Sequence, residues 1–324
     1  MKPKIFLLLA TLPALLFTAC QQTAVPPPAH AGLKLGVQAW TYKQFTFAET
    51  VEKVSRLGVR YLQAYSGQTI GGGIEGTMVP AMDEATRAKV LALLQAKNVT
   101  LTSFGVARPK TEAQWRELFA FAKAMGLRDV TVEPPKAAWP GTLPLLDRFS
   151  REYGVNVTIH NHPNPENPPE DLVAALKPYG PHLGFCADTG HWARSGFDPV
   201  AALHKAEGRL LSLHFKDLSE ITRKAHDVPW GTGASNAAGQ IAELRRQRFA
   251  GIAYVEYEYR TPSLEADVAR SVEFFRRAAA ASEADLIAGR VVPPGFTDDV
   301  SQVWSKTQAS GAVQGPSSSA ARQP

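Results

Sequence analysis

Short apolar runs alternate with amphipathic segments along most of the chain. The runs are rich in β-branched and aromatic residues, as buried strands are, and the segments between them carry apolar residues three or four positions apart, as helices do. The predicted strands are Leu35–Trp40, Val59–Tyr65, Val99–Val106, Val130–Val132, Val155–Ile159, Leu183–Ala187, Leu210–Leu213 and Ile252–Val255. The predicted helices are Phe47–Leu57, Asp83–Lys97, Thr111–Met125, Leu143–Tyr153, Glu170–Leu176, Pro199–Ala206, Ala238–Arg246 and Leu264–Ala281. Because each strand leads into a helix, the pattern indicates parallel strands joined by crossover helices.

The number of strand–helix pairs favours a closed barrel. Eight pairs within roughly 250 residues are what an α/β fold of the (β/α)8 TIM barrel type requires. An open doubly wound sheet is the alternative, but it carries a glycine-rich phosphate turn after its first strand, where this chain has Gln38-Ala39-Trp40-Thr41-Tyr42. No predicted helix begins at Gly71-Gly72-Gly73, which we interpret as a flexible loop tip over the barrel mouth. We therefore predict a TIM barrel over residues 33–281.

The N-terminus has the features of an export signal. Lys2 and Lys4 precede an apolar stretch that is too short for a comfortable membrane span, which indicates a signal peptide over residues 1–19. The sequence Leu16-Phe17-Thr18-Ala19-Cys20 resembles a bacterial lipobox, and this resemblance implies lipidation of Cys20. An ordinary secretory signal with an incidental cysteine is the alternative. We expect an exported protein of the bacterial cell envelope that contacts the membrane through this anchor.

The remaining composition is that of an ordinary globular domain with two extensions. Hydrophobic residues make up 44% and charged residues 20% of the chain, so a sizeable core is expected. Residues 20–32, with three consecutive prolines, are predicted to form an extended tether. Residues 282–324 follow the last predicted helix and are predicted to be a largely disordered extension. The second of the two cysteines, Cys186, lies in a predicted strand and is expected to be buried without a disulfide partner.

Charge excludes one class of partner. The net charge is +5, and the basic residues are scattered rather than interleaved with aromatic residues along one stripe. A nucleic-acid partner is therefore not expected, since such proteins carry a clustered basic face. The sequence leaves the oligomeric state open.

The chemistry is concentrated at the ends of four predicted strands. These ends are His160-Asn161-His162, Asp188-Thr189-Gly190-His191, His214-Phe215-Lys216-Asp217 and Glu256-Tyr257-Glu258. The carboxyl ends of parallel barrel strands meet at one face, where TIM-barrel active sites lie. Imidazole and carboxylate groups from distant parts of the sequence are therefore predicted to form one cluster.

Each of these residues also has an ordinary structural explanation. Asp188 could cap a helix, His214 could be a core histidine with its hydrogen bonds satisfied, and Glu256 could pair with Lys216 or an arginine. The combination at separate strand ends instead favours a site for Mn²⁺, Zn²⁺ or a similar divalent ion.

The same motifs resemble a known family. Asp188-Thr-Gly-His191, His214-Phe-Lys-Asp217 and Val255-Glu256 are similar to the sugar isomerase/epimerase family with xylose-isomerase-like TIM barrels, over roughly Leu33–Ala281. The resemblance implies a divalent ion, often Mn²⁺, with Zn²⁺, Mg²⁺ and Co²⁺ as alternatives. In the family, glutamate, aspartate, histidine and glutamate from strands five to eight hold the ion. The matching positions are His160, Asp188, His214 and Glu256.

His160 is where the chain departs from the family pattern. The family's strand-five glutamate is commonly both a ligand and a proton-transfer base, and imidazole can perform both roles near neutral pH. Epimerisation between two glutamates is therefore less expected than isomerisation or elimination with Glu256 as the main base and His160 as the other candidate. The resemblance implies a sugar or keto-sugar substrate and a metal-stabilised enediolate. The His-Asn-His segment is also similar, more loosely, to relatives that act on keto-glycosides.

Further residues are candidates for substrate contacts. His191 and Lys216 are expected to contact substrate oxygens, although Lys216 could instead form salt bridges with Asp217 or Glu256. The weaker candidates lie at other strand ends or in the long loop after strand seven, and each has a structural alternative. They are Trp40, Glu133, His162, His226 and Trp230, the last as an apolar platform for the sugar.

Two other function classes are alternatives, a non-enzymatic sugar-binding protein and an endonuclease. An exported lipoprotein that binds sugar in the same pocket without turnover would not need Glu256. An abasic-site endonuclease related to this barrel would need a larger ligand set and a DNA-binding face, and an exported protein rarely meets genomic DNA. Export also argues against a sugar phosphate as the substrate. We expect a metal-dependent enzyme.

Overall fold

The computed structural model describes residues 32–295. The predicted signal peptide, the lipidation site Cys20, almost all of the predicted tether and residues 296–324 lie outside the described residues. These predictions therefore remain predictions.

Eight of the strands in this part of the chain close into a parallel barrel. The strands are β1 Lys34–Gln38, β2 Tyr61–Ala64, β3 Thr69–Gly71, β4 Ile74–Thr77, β5 Thr100–Ala107, β6 Asp129–Val132, β7 Asn156–His160, β8 Leu183–Asp188, β9 Leu210–Phe215 and β10 Ile252–Val255. The barrel order is β1-β2-β5-β6-β7-β8-β9-β10, and β10 pairs with β1 to close it. The predicted TIM barrel is confirmed.

Helices surround the barrel and follow its strands. They are α1 Phe47–Arg56, α2 Glu84–Ala96, α3 Glu112–Ala124, α4 Trp139–Tyr153, α5 Pro169–Leu176, α6 Thr189–Arg194, α7 Pro199–Lys205, α8 Ala237–Arg246, α9 Leu264–Ala280 and α10 Glu283–Ile287. Local sequence explains where several of them begin. Thr46 and Thr111 form capping boxes with Glu49 and Gln114, so two helix starts are fixed by reciprocal side-chain and backbone hydrogen bonds.

The glycine run at 71–73 is part of a hairpin. β3 and β4 are antiparallel, and Gly71, Gly72 and Gly73 all have positive φ values at the connection between them. A side chain is excluded at Gly71 on steric grounds as well, because a Cβ there would lie 2.7 Å from Cβ of Thr46. The loop tip expected from sequence is thus a turn packed against the start of α1.

The hydrophobic core lies between the barrel and its helices. Large buried side chains such as Phe47, Phe119 and Phe215 are fully enclosed. The hydrophobic core extends past residue 281: Leu286 of α10 is buried in it, and Val291 packs against it. Within residues 32–295, no helix is both long and apolar enough to cross a membrane.

Candidate metal centre

The barrel brings four predicted ligands to one point. His160 and Asp188 are the last residues of β7 and β8, His214 is the penultimate residue of β9, and Glu256 directly follows β10. All four are buried, with at most 7% of any one residue exposed. One ligand atom from each lies within 4.8 Å of the others. A divalent ion at about 2.0–2.2 Å from each donor allows separations up to about 4.4 Å, so small side-chain adjustments would complete the site.

Unpartnered atoms in this cluster fit a metal ion. Both ring nitrogens of His160 are buried and form no hydrogen bond within the described residues, and the ligand atoms of Asp188 and His214 contact ionisable groups of this cluster and Lys216. Nε2 of His160 lies 3.5 Å from Oδ2 of Asp188, and Nδ1 of His214 lies 3.1 Å from Oε2 of Glu256. Buried polar atoms normally have a partner, and these are also the donor types that divalent ions accept. The residues present therefore fit a divalent cation.

A buried hydrogen-bond chain orients His214. Its Nε2 lies 2.5 Å from Oε1 of Gln63, and the same oxygen accepts from Nε2 of Gln38 at 2.5 Å. The Gln63 amide in turn donates to Ser103 at 2.8 Å and to Thr131 at 2.6 Å. Because Nε2 of Gln38 also donates to the Gly105 carbonyl at 3.0 Å, and a carbonyl can only accept, the Gln63 atom that faces this NH₂ group is the oxygen. His214 must then donate from Nε2, and its Nδ1 faces Glu256 and the rest of the cluster.

The two carboxylate oxygens of Asp188 have different roles, one in capping a helix and the other in the cluster. Oδ1 accepts the His191 backbone N–H at 2.6 Å and so caps α6, whereas Oδ2 faces the cluster. The side chain of Asn161 holds the Asp188 backbone through two hydrogen bonds, at 2.9 and 3.0 Å. The helix-cap explanation of Asp188 is therefore correct, and it is compatible with metal binding through the other oxygen.

Lys216 lies beneath the cluster, fully buried. Its Nζ is 2.9 Å from both Asp188 and Glu256 and 2.5 Å from Glu258. Burial opposes the charged form of Lys216, but these carboxylates outweigh it and hold the lysine pKa well above its ordinary value. A Cβ at Gly190 would lie 2.7 Å from Cδ of Lys216, so the glycine lets α6 approach this side chain.

Opposite charges keep the two acidic ligands ionised. Burial alone would raise the pKa of Asp188, yet the buried Lys216 ammonium 2.9 Å from its Oδ2 contributes to holding that pKa well below its usual range. Burial also opposes ionisation of Glu256, and His214 and Lys216 again outweigh it, so the Glu256 pKa is lowered. Burial lowers the pKa of His160 and favours neutral imidazole, the form that ligates metals.

A cavity of about 270 Å³ opens above the cluster. His160, His191 and Glu256 form part of its wall, and Trp40 lines it with 38% of the residue exposed. The Tyr65 ring meets the Trp40 ring edge-on, with centroids 4.9 Å apart. The cavity therefore combines ionisable groups with aromatic surface, a combination suited to a small polar molecule.

The predicted contacts His162 and Glu133 meet at the cavity rim. His162 lines the cavity and is in direct contact with a Glu133 oxygen. Arg108 also lines the cavity and donates from Nε to Glu133 at 2.8 Å. Burial opposes ionisation of Glu133, but His162 and Arg108 lower its pKa, so Glu133 supports its neighbours as a carboxylate.

Three predicted substrate contacts lie elsewhere. Lys216 is fully buried and is not among the residues that line the cavity. Trp230 packs inside the protein with its ring centroid 4.4 Å from that of Phe215, so the structure gives it a core position rather than that of a platform over the sugar. The exposed His226 stacks near Tyr259 with centroids 4.5 Å apart, also outside the cavity lining.

A larger cavity, of about 450 Å³, lies at the opposite end of the barrel. It is lined by the starts of β1 and β2 and by α9, including Leu33, Arg60 and Phe275. None of its lining residues is a histidine or a carboxylate. Of these two cavities, the smaller one is therefore the candidate active site, because histidines and carboxylates line it.

Several residues of the site carry no motif that sequence reasoning could have used. Gln38 is the last residue of β1 and Gln63 the penultimate residue of β2, and both belong to the hydrogen-bond chain to His214, so their place near strand ends is the available signal. Arg194 and Asp227 form a nearly buried ion pair at 3.2 Å behind the site. This ion pair joins α6 to the loop after β9 and is visible only in the structure.

Comparisons with known proteins agree with this architecture. The family model described as "Xylose isomerase-like TIM barrel" matches residues 51–278. No curated protein matches the chain.

Solved structures are similar over most of the chain. An uncharacterised protein from Parabacteroides distasonis is 32% identical, covers 76% of this chain and 98% of its own, and has a TM-score of 0.63. A probable 3-DHS dehydratase from Bacillus anthracis is 14% identical, with coverages of 75% and 99% and a TM-score of 0.61. D-allulose 3-epimerase from Methylomonas sp., in complex with D-allulose, is 14% identical, with coverages of 76% and 97% and a TM-score of 0.58. Because the family model matches more than half of this chain, the chain belongs to the xylose isomerase-like TIM barrel family.

Proposed function

We propose that the protein is a divalent-metal-dependent isomerase or epimerase that acts on a sugar or keto-sugar, with elimination as the related alternative chemistry. The observation that carries this proposal is the buried cluster of His160, Asp188, His214 and Glu256, in which neither ring nitrogen of His160 forms a hydrogen bond within the described residues. The epimerase and dehydratase among the structures of the same fold support the reaction class.

The ion would be held by these four side chains. Asp188 and Glu256 supply two negative charges and His160 and His214 supply two nitrogens, a mixed set that suits Mn²⁺ and also Zn²⁺, Mg²⁺ or Co²⁺. We propose Mn²⁺ as the physiological ion. When bound there, a divalent ion polarises a sugar carbonyl and makes the adjacent C–H bond more acidic.

The proton transfer is assigned to Glu256. Its carboxylate stays ionised because His214 and Lys216 lower its pKa, and it lines the cavity where the sugar would lie. For isomerisation, Glu256 would accept the proton from the carbon next to the carbonyl and return it to the former carbonyl carbon, while the hydroxyl proton passes to the former carbonyl oxygen. For elimination, the proton would instead pass to the departing hydroxyl oxygen as its bond to carbon breaks. His160, which stands where the family has glutamate, is the second candidate for this proton transfer.

Other side chains would hold the sugar. His191 and His162 face the cavity and can bind hydroxyl or carbonyl oxygens, and Trp40 offers an exposed ring for the apolar face of a sugar. The Glu133 carboxylate would position His162, with which it is in contact. We propose an unphosphorylated substrate, because the sequence indicates an exported protein.

Exchange of a substrate C–H proton for deuterium tests the function. The Mn²⁺-loaded protein is incubated in D₂O with D-fructose, D-tagatose, D-allulose, D-xylose and D-glucose, and deuterium next to the carbonyl is followed by NMR. We expect exchange with at least one sugar, loss of exchange after chelation, and loss in Glu256→Gln. Binding of a sugar with no exchange of any substrate C–H would instead identify a non-enzymatic sugar-binding protein.

The cellular location is a separate proposal, which rests on the N-terminal sequence. We propose that Cys20 is lipidated and anchors the protein in the bacterial cell envelope. Metabolic labelling with a radioactive fatty acid should mark the wild type and not Cys20→Ser. Label in both proteins, or in neither, would contradict the anchor.

A further inference from the structure

Arg194 connects α6 to two loops, the one after β9 and the one after β10. From its place in α6, its Nε donates to the Ala225 carbonyl at 3.2 Å and its Nη2 donates to Asp227 at 3.2 Å. Its Nη1 donates to Glu258 at 3.3 Å and lies 3.3 Å from Nδ1 of His191. Only 12% of the Arg194 side chain is exposed, so this guanidinium is fixed by its partners.

The contact with His191 determines where the imidazole proton resides. A guanidinium has five N–H donors and no acceptor, so Nδ1 of His191 must be the acceptor in this contact. A neutral imidazole with a lone pair on Nδ1 carries its single proton on Nε2. That Nε2 lies 3.5 Å from Oδ2 of Asp188, on the side of the metal cluster.

Other contacts fix the orientation of the ring but not its tautomer. The His191 backbone N–H donates to Asp188, and the His191 carbonyl accepts from Ser195 at 2.7 Å. The ring stacks on that of His162, with centroids 4.9 Å apart and planes inclined by 28°. None of these contacts involves a ring nitrogen. Asp188 near Nε2 is compatible with a proton there, and Arg194 is the contact that opposes a proton on Nδ1.

We propose that Arg194 is a positioning residue that keeps His191 as the Nε2–H tautomer, so that His191 presents a hydrogen-bond donor to the substrate. This inference rests on the proposed function for its catalytic meaning. The group that faces His191 is then an acceptor, namely the carbonyl oxygen or the oxygen on which negative charge develops. His191 stabilises that oxygen and does not remove the substrate proton, which leaves proton removal to Glu256 or His160.

Nitrogen NMR measures this tautomer without any substrate. The chain has eight histidines, and selective ¹⁵N labelling with comparison to His191→Gln assigns the signals of His191. The full-length protein is measured both free of metal and loaded with Zn²⁺, which is diamagnetic. We expect a neutral ring with its proton on Nε2 in both samples. A proton on Nδ1, or on both nitrogens, at neutral pH would overturn the inference.

Substitutions of Arg194 separate the positioning effect from general packing. Arg194→Gln introduces a side-chain oxygen that can accept from Nδ1–H, so both tautomers should appear. Arg194→Lys keeps a group that only donates and should preserve the Nε2–H form. Asp227→Asn is the matched control, because it alters the buried partner of Arg194 and leaves the donor beside His191. Unchanged Nε2–H in Arg194→Gln would show that Arg194 does not set the tautomer.

The outcomes also distinguish this inference from the proposed reaction. The wild-type spectrum decides the tautomer even if a variant does not fold, as checked by circular dichroism. If NMR shows His191 protonated on Nε2 but the protein exchanges no sugar C–H, the proposed reaction is wrong and the tautomer assignment still holds. With an exchanging sugar, Arg194→Gln should lower kcat/KM by roughly 10-fold or more, as removal of a donor to a developing oxyanion does, and Arg194→Lys should restore part of it.

Discussion

The Nε2–H of His214 donates to Oε1 of Gln63 across 2.5 Å, within the closed interior of the barrel. The two residues are 151 positions apart in sequence, and both are fully buried. Because this hydrogen bond occupies Nε2, the opposite nitrogen of the ring is left to face Asp188 and Glu256. The orientation of one candidate ligand thus depends on an amide from the other side of the barrel.

Removing the Gln63 amide should weaken metal binding. Gln63→Leu keeps the volume but frees the His214 ring to change tautomer and rotate, and loss of such an outer partner typically lowers metal affinity about 10–100-fold. Isothermal titration with Mn²⁺ measures the effect. Gln68→Leu is the matched control, because Gln68 is an equally buried glutamine whose amide bonds to Phe45 and Thr50 instead. Equal affinity in the wild type and Gln63→Leu would contradict the role of this hydrogen bond.

Neighbouring glutamates should differ in their effect on metal content. Glu256 belongs to the four-residue cluster, whereas Glu258 contacts Lys216 and Arg194 outside it. We expect Glu256→Gln to lower Mn²⁺ affinity by at least about 100-fold and Glu258→Gln to have a much smaller effect, since only the first removes a ligand charge. Metal analysis after equilibrium dialysis measures both. Full metal content in Glu256→Gln would contradict the ligand assignment.

His160, at the end of β7, the fifth strand of the barrel, gives a third test. His160→Ala removes a ligand from a site that cannot close over the gap, so metal content should fall. His160→Glu introduces the residue that the family resemblance implies at this position, and we expect it to retain the metal. Metal analysis of the two variants side by side separates ligand loss from general disruption. Metal content that is unaffected in His160→Ala would show that His160 is not a ligand.

The barrel could be predicted from the sequence because each βα unit carries its own local signals. Alternating apolar patterns, capping residues and strand ends located the eight barrel strands and brought the four candidate ligands to one face. The first strand shows the limit of such signals. It was predicted to run to Trp40 but ends at Gln38, because the Gln38 side chain accepts the Trp40 backbone N–H and starts a short 3-10 helix.

The charge network behind the site could not be predicted in the same way. Arg194 meets Asp227 and Glu258 across 33 and 64 residues, and nothing in the local sequence specifies those pairs. The sequence is compatible with Lys216 either as a substrate contact or in a salt bridge, and the structure shows salt bridges with three carboxylates. Such partners are set by how loops at the barrel mouth fold over one another.

Two tryptophans should respond in opposite ways to substitution. Trp230 is 1% exposed and packs on Phe215, so Trp230→Ala should cost about 3–5 kcal/mol of unfolding free energy and leave sugar affinity of the folded protein unchanged. Trp40 is 38% exposed at the cavity, so Trp40→Ala should change stability little and weaken binding of an exchanging sugar. Urea unfolding and the KM for deuterium exchange measure the two effects. Reduced sugar affinity in folded Trp230→Phe would restore the platform role.

Burial of Asp129 should make stability depend on pH. The residue is fully buried at the start of β6, and neither carboxylate oxygen forms a hydrogen bond within the described residues. Burial raises the pKa of Asp129 from 3.8 to about 6. The folded state therefore holds this proton at a higher pH than the unfolded chain does, so stability falls as the pH rises from about 4 to about 6.

Asp129→Asn should remove this dependence. The neutral amide avoids burying a charge, so the variant should be more stable than the wild type at pH 7.5, by an amount on the order of 3 kcal/mol at most, and the advantage should disappear near pH 4. Urea unfolding at intervals between pH 4 and 8 gives the difference curve, in which other titrating groups cancel. Asp171→Asn, at a partly exposed aspartate paired with Lys136, is the control for the Asp-to-Asn change at a position that is not fully buried. A constant difference between Asp129→Asn and the wild type over this range would show that Asp129 titrates alike in the folded and unfolded states.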